Sequence, residues 1–191
     1  MLNAVGRIIP FAFASGLNLY ATVAVAGLCS RFGLVDLPDQ FRAFDNSWVI
    51  GAALAMYAVE FVADKVPWVD TAWDAVHTII RPIGGAVVAV SALGHAAPAT
   101  QAIAALLGGS IAMTTHLTKA GTRAIANTSP EPFSNWALSF AEDIFAVGLT
   151  WAAVQHPVLA TGIAIVLLAI TIAAGSWLLR ALRRRFAKRS A

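Results

Sequence analysis

The amino-acid sequence predicts an all-α polytopic membrane protein, a bundle of about six transmembrane helices. Hydrophobic residues make up 59% of the 191 positions and charged residues only 12%, whereas soluble domains carry about 25% charged residues. A soluble core does not account for this composition, because a chain of this size must cover most of its surface with polar groups. A lipid-facing surface does account for it. Mean hydropathy is +0.73, and six apolar segments approach the length of about 20 residues that a span requires.

The predicted spans follow the apolar segments along the chain. The links before Pro98 and Pro157 are very short and predict tight antiparallel hairpins, and both prolines suit the first turn of a helix. The third span is short unless the segment before it continues into it. We expect one transmembrane domain, 1–179, followed by a basic cytoplasmic tail, 180–191, that continues the last helix. An alternative has five spans and a re-entrant first segment. The six spans are 8–28, 47–64, 79–95, 98–117, 136–155 and 157–179.

The basic residues predict the orientation. If both termini lie inside, the outer segments hold only Arg31 and Arg42, and every other lysine and arginine is on the inner side. Inner loops of membrane proteins carry such an excess, so the sequence predicts N-in and C-in topology in a multi-pass protein of the inner, cytoplasmic membrane.

A weak internal repeat suggests two inverted halves of three helices, a common transporter plan. Ser15-Gly16 and Gly109-Ser110 start similar successions of small residues, prolines and tryptophans, which include Pro38 and Pro132. The acidic residues argue against strict symmetry, so the sequence alone does not decide whether the two halves are a repeat.

Polar residues within predicted spans are the candidates for function, because they are expensive in hydrocarbon unless they face the bundle or water. Asn18 lies in a Ser-, Gly- and Thr-rich stretch for which the favoured interpretation is close helix packing with Asn18 as an interhelical hydrogen-bonding residue. The alternative is a broken helix with exposed backbone that helps to hold a ligand. The candidate substrate- or ion-binding residues are Asn18, Glu60, Asp64, Thr115, His116, Glu142 and Asp143.

The prediction of a binding site rests mainly on two carboxylates of the second predicted span. Glu60 and Asp64 are four residues apart and share a helix face. We expect Asp64 to be solvated at the inner interface and Glu60 to lie one turn deeper, either as a proton or cation coupling site or in an ion pair with Lys119 or Arg123.

The remaining candidates lie on spans four and five. Glu142 and Asp143 point about 100° apart on a helix, so one should face the bundle, and Glu142 is the preferred partner of Glu60 on the inner side. Thr115 and His116 lie on a hydroxyl-rich face that could line a polar path. For His116 the favoured interpretation is a satisfied structural histidine, and the alternative is a side chain that titrates near neutral pH.

The segment before span three carries Asp70, Asp74 and His77 on one helical face. These residues are weak metal-ligand candidates, since carboxylate and imidazole suit several divalent ions. The favoured interpretation is an amphipathic interfacial helix with solvated charges.

Three stretches together resemble a known family: ASGLNLYAT at 14–22, EFVADKVP at 60–67 and WDAVHTIIRP at 73–82. They are similar to the bacterial membrane family known as domain of unknown function 4126, and the resemblance covers nearly the whole chain. It implies the membrane class and a one-domain organisation, and it implies no substrate, cofactor or site residue.

The leading functional hypothesis is a small transporter or channel for an ion or small solute, using intramembrane carboxylates. One alternative is lipid handling, with a headgroup held near Arg81, Lys119 or Arg123. Another is a non-transporting scaffold with Glu60 in a closed ion pair. The sequence has no phosphate-binding loop, His-Glu-x-x-His motif or nucleophile elbow, so we expect no enzyme, no cofactor and no nucleic-acid partner. The expected partners are the lipid bilayer and further copies in a homo-oligomer.

Overall fold

The computed structural model describes residues 2–34, 39–127 and 133–187. Within these ranges the chain has seven α-helices, one 3₁₀ helix and no β-strand, which confirms the all-α class. Helices begin at Pro98 and Pro157, as expected, and α7 reaches Ala187, so the helix does continue into the tail. Pro38, Pro132 and the last four residues lie outside the described residues. The helices are α1 Leu2–Leu17, α2 Leu19–Arg31, α3 Ser47–Ala63, α4 Pro67–Leu93, α5 Pro98–Ala126, α6 Phe133–Gln155 and α7 Pro157–Ala187, and the 3₁₀ helix is Asp39–Ala43.

Fewer helices than the six predicted are both long enough and apolar enough to cross a membrane. Among the described residues, three helices are long and apolar enough to cross a membrane: α4, α6 and the Pro157–Trp177 part of α7. The first predicted span is split at Asn18 into α1 and α2, and α3 has only 17 residues. Helix α5 has 29 residues, but its threonines, glycines and charged residues lower its hydropathy. The polar residues that are candidates for function therefore also lower the hydropathy by which a membrane-spanning helix is recognised.

Helix α4 corrects the prediction for the segment before span three. Pro67–Leu93 is one continuous 27-residue helix, so no separate interfacial helix precedes the third span. Pro82 lies inside it without ending it.

The bundle is built around α1 and the α4–α5 pair. Helix α1 packs against α4, α5, α6 and α7, and α4 packs against α5 along its length. Small residues permit this approach: a Cβ on Gly85 would collide with Ala112, and a Cβ on Gly108 would collide with Ala89. A Cβ on Gly16 would lie 2.5 Å from the Ala112 carbonyl oxygen, so α1 also touches the α5 backbone closely.

One end of the bundle gathers the links between α3 and α4 and between α5 and α6. Asn127 donates to the Pro67 carbonyl, and Asn135 donates to the Asp64 carbonyl at 2.9 Å. Trp136 Nε1 donates to the Lys65 carbonyl at 3.2 Å. We call this the network end, because the buried charges described below lie here.

The structure changes the basis of the orientation argument. Arg81, Lys119 and Arg123 were counted as inner-side residues, yet all three are buried inside the bundle. Lys65 lies at the network end and α7 runs toward that end, whereas Arg7 lies toward the opposite end, because the neighbouring Gly6 contacts Thr161 near the start of α7. The helix break does not support the predicted repeat. The chain breaks at Asn18, just after Ser15-Gly16, but α5 runs without interruption through the corresponding Gly109-Ser110.

Candidate functional site

Charged side chains from α3, α4, α5 and α6 meet inside the network end, and we call this set the charge network. Nearly all are buried, and Glu142 is the most exposed, with 14% of its side chain accessible. Unpaired charges in apolar surroundings are very unfavourable, so the pairing of these groups decides whether the network is stable. The members among the described residues are the cations Arg81, Lys119 and Arg123, the carboxylates Glu60, Asp64, Asp70, Asp74, Glu142 and Asp143, and the polar side chains Asn18, His77, His116 and Asn135.

The network surrounds a break between α1 and α2. Asn18 adopts an extended conformation, φ −149° and ψ 101°, and its Oδ1 accepts from the Ala21 N–H at 2.9 Å, which caps α2. The break frees carbonyls that would otherwise bond within the helix. The Gly16 carbonyl accepts from Arg81 Nη1 at 3.0 Å, and the Leu17 carbonyl accepts from Lys119 Nζ at 3.1 Å. The helix is therefore broken at Asn18, which is the alternative that the sequence left open, and its exposed backbone is held by cations of the network.

Arg81 connects α4 to α1, α3 and α5. Its Nη2 forms an ion pair with Glu60 Oε1, and its Nη1 donates to His116 Nδ1 at 2.8 Å. A guanidinium has no acceptor, so His116 Nδ1 carries no proton and its Nε2–H can donate to the Asp74 carbonyl, 3.1 Å away. His116 is therefore a neutral structural contact in this arrangement, in agreement with the interpretation that the sequence favoured.

Lys119 and Arg123 join α5 to α3 and α6. Lys119 Nζ lies 3.3 Å from both Glu60 Oε1 and Asp64 Oδ2 and 3.6 Å from Glu142 Oε2. Arg123 Nη2 lies 2.7 Å from Asp64 Oδ2 and 2.9 Å from Glu142 Oε2. The prediction that Asp64 is solvated is wrong: it is fully buried, because two cations from α5 hold it inside the bundle.

Both acids of α6 face the interior, although the sequence required only one to do so. Glu142 contacts α5, while Asp143 Oδ1 accepts from Asn18 Nδ2 at 3.0 Å. Two adjacent positions reach different helices because α6 lies between α5 and the break. Thr115 is also buried, and its Cβ is next to Gly16, but its hydroxyl has no hydrogen-bond partner among the described residues.

The acidic face of α4 is buried, not solvated. Asp70, Asp74 and His77 are 0%, 5% and 1% exposed, because the face that the sequence placed at the interface packs against α5 and α2. His77 Nδ1 lies 2.8 Å from the Trp73 carbonyl, and its Nε2 lies 3.0 Å from the Tyr20 hydroxyl. Both ring nitrogens are thus occupied, and the described residues contain no group of three acids, histidines or cysteines that could hold a metal ion.

The network has more carboxylates than cations, and much of its oxygen surface is unsatisfied. Five carboxylates each have one buried oxygen that receives no hydrogen bond from any described residue. Lys65 lies at the edge, where its Nζ donates to the Phe61 carbonyl at 2.8 Å and burial lowers its pKa. An excess of buried negative charge gives the site a capacity for protons or cations. The five atoms are Glu60 Oε2, Asp64 Oδ1, Asp70 Oδ1, Asp74 Oδ1 and Asp143 Oδ2.

All seven predicted site residues lie in this region or against it, although whether they bind a substrate or ion stays a prediction. The sequence did not identify Tyr20, which contacts His77, or Asn135, whose Oδ1 accepts from Arg123 at 2.8 Å. Helical spacing carried a usable signal. Asp70, Asp74, His77 and Arg81 follow each other at intervals of three or four residues, which extends one buried polar face over three turns.

The fold and site define a helical protein of the membrane class with a buried charge network around a broken helix. The chain belongs to the family described as domain of unknown function (DUF4126), whose model matches residues 6–177, and this confirms the resemblance seen in the sequence. No curated protein and no solved structure matches the chain. The family description states no activity.

Proposed function

We propose that the protein is a small membrane transporter or channel that passes an ion or small solute by way of the charge network. The observation that carries the proposal is the set of unsatisfied carboxylate oxygens around the Asn18 break. Intramembrane ionisable residues mark ion pathways and proton relays, and discontinuous helices form substrate and ion sites in transporters. The proposed activity is non-covalent transfer, not catalysis.

The proposal includes a topology. Helices α3, α4, α5, α6 and α7 make five crossings, and the C-terminus lies on the inner side of the cytoplasmic membrane. Helices α1 and α2 form a re-entrant pair, because Gly6 lies beside Thr161 near the start of α7 and Arg31 pairs with Asp45 just before α3, both opposite the network end. The network end then faces inward. A short helix such as α3 can cross with local thinning of the bilayer, and the buried pairs allow α5 to carry its charges into the membrane. Association of several copies stays a prediction.

A structural scaffold is the second candidate, and one observation favours it. Glu60 and Glu142 both form ion pairs with cations, Glu60 with Arg81 and Lys119, and Glu142 with Arg123. In a scaffold these pairs are permanent, whereas in a transporter they are one state of a site that opens. Lipid handling receives less support, because the basic residues expected to hold a headgroup contact carboxylates.

The test is ion flux into liposomes that contain the purified full chain. Proton, Na⁺ and K⁺ fluxes are measured with entrapped indicator dyes for the native protein and for Glu60→Gln. We expect the variant to lose flux, because the carboxylate that bridges Arg81 and Lys119 becomes neutral. Asp39→Asn is the matched control, since Asp39 is 67% exposed in a surface pair with Arg42.

Loss of folding must be separated from loss of function. Asp143→Asn provides a second variant of nearly unchanged shape, and its unpaired oxygen suggests a smaller effect on stability than Glu60→Gln has. Normal flux in a folded Glu60→Gln and a folded Asp143→Asn, or no flux of any tested ion in the native protein, would favour the scaffold.

A further inference from the structure

A cavity of about 230 Å³ lies between α4 and α5 at the network end, and we call it the α4–α5 cavity. Its polar lining comes from Asp70, Thr71, Asp74, Thr78 and Arg123. The volume is enough for several water molecules. The cavity therefore gives a small hydrated species room beside the charge network.

The lining is rich in oxygen atoms and poor in donors. Asp70 Oδ1 and Asp74 Oδ1 are buried and receive no hydrogen bond from any described residue. Their nearest cations are Arg123 Nη1 at 3.7 Å and Arg81 Nη1 at 4.0 Å, which is beyond normal hydrogen-bond range. Asn127 donates its amide to Asp70 Oδ2 at 2.9 Å, yet its own side-chain oxygen also lacks a donor in the described part of the chain.

The two threonines add acceptors and no free donor. Thr71 donates its hydroxyl hydrogen to the Pro67 carbonyl at 2.9 Å, and Thr78 donates to the Asp74 carbonyl at 3.0 Å. Thr78 Oγ1 also lies 3.1 Å from His116 Nε2, and Thr71 Oγ1 accepts from Asn127 Nδ2 at 3.4 Å, so each hydroxyl oxygen keeps one lone pair available. Arg123 does not neutralise the cavity, because its closest carboxylate contacts, at 2.7 and 2.9 Å, are to Asp64 and Glu142.

We propose that the α4–α5 cavity binds a small monovalent cation at Asp70 and Asp74, with Na⁺ as the probe. Carboxylate and hydroxyl oxygens are hard ligands that suit hard cations. A dedicated divalent site is not favoured, since the described residues provide no group of three acids, histidines or cysteines.

The role of this cation rests on the proposed function. Asp74 lies next to Arg81, which pairs with Glu60, and Asp70 lies next to Arg123, which pairs with Asp64. A cation in the cavity would replace the long contacts of Arg81 with Asp74, at 4.0 Å, and of Arg123 with Asp70, at 3.7 Å. Occupancy of the cavity would thereby change the balance of charge around both arginines and give the ion access to the network from the α4–α5 side.

The experiment measures binding directly. Thermal unfolding of the purified full chain in detergent is followed at fixed pH and ionic strength, while N-methylglucamine chloride is replaced stepwise by NaCl. We expect the midpoint to rise with Na⁺, because a ligand that binds only the folded state stabilises it. Asp74→Asn should lower the apparent Na⁺ affinity by about tenfold or more, the loss of one charged contact. Asp45→Asn, at the other end of the bundle, should leave it unchanged.

A second variant covers the case in which Asp74→Asn does not fold. Ala120→Leu fills the cavity from α5 and removes no charge, and it should also abolish the Na⁺ dependence. The proposal is overturned if the midpoint responds equally to both cations, or if a folded Asp74→Asn or Ala120→Leu keeps the native response. Flux without Na⁺ stabilisation leaves the transporter in place and removes the cavity site. Na⁺ stabilisation without flux leaves the cavity site and removes the transporter.

Discussion

Replacing Arg123 with glutamine removes the cation that joins α3, α5 and α6. Asp64 and Glu142 then keep only Lys119, at 3.3 and 3.6 Å, in place of guanidinium contacts at 2.7 and 2.9 Å. Breaking a buried pair by removing one partner typically destabilises a protein by about 3–5 kcal/mol. We therefore expect the ratio of folded to unfolded protein to fall by about two to four powers of ten.

Reversible unfolding in mixed micelles, with an increasing fraction of denaturing detergent, measures this free energy. Arg42→Gln is the matched control, because Arg42 is 80% exposed in its pair with Asp39, and exposed pairs contribute only about 0.2–1 kcal/mol. In the Arg123→Gln background, Glu142→Gln should recover part of the loss, since it removes one of the unpaired carboxylates. The reasoning is refuted if Arg123→Gln costs no more than Arg42→Gln, or if the second substitution adds to the loss.

Two further predictions concern the helix break. Gly16→Ala should destabilise the protein by about 1–3 kcal/mol, the usual effect of overpacking, because the new Cβ would lie 2.5 Å from the Ala112 carbonyl oxygen. Thermal melts measure this loss of stability. Gly51→Ala is the control and should be neutral or stabilising, because its Cβ meets nothing within 4 Å. Asn18→Asp keeps the cap on α2 but places a second carboxylate against Asp143, where the amide now donates at 3.0 Å. Two adjacent carboxylates repel when both are ionised and can share a proton in acid, so the stability difference between Asn18→Asp and the native protein should grow as pH rises; a constant difference across pH would contradict this.

The sequence predicted the helical class and singled out most members of the charge network, because composition and spacing carry that information. Charged residues at 12% of the chain exclude an ordinary soluble surface, and polar residues inside apolar segments stand out against them. The sequence left the break at Asn18 open, because Gly16, Asn18 and Thr22 can terminate, cap and support a helix but can equally pack closely against neighbouring helices.

The arrangement of the charges could not be predicted, because it depends on how helices pack. Asp64 and Asp70 lie near helix ends, where solvation is the ordinary expectation, yet contacts from Arg123 and Asn127 bring both inside. The number of membrane crossings is also hard to predict, because it too depends on how charges pair between helices. A hydropathy window treats every charge as unfavourable, but a charge paired across helices, such as Lys119, is compatible with a span that the window rejects.

The cost of the network is itself an argument for ion handling. Replacing buried ion pairs with apolar residues of similar volume is often neutral or stabilising, so a protein that serves only as a scaffold gains little from this many buried charges. A scaffold also has no use for carboxylate oxygens that lack donors, such as Glu60 Oε2 and Asp143 Oδ2. Those oxygens lower stability in the arrangement described here and become favourable only when a proton or cation joins them. The same atoms that make the bundle less stable are thus the ones that allow it to take up an ion, and flux through the Glu60 and Asp143 variants tests that link.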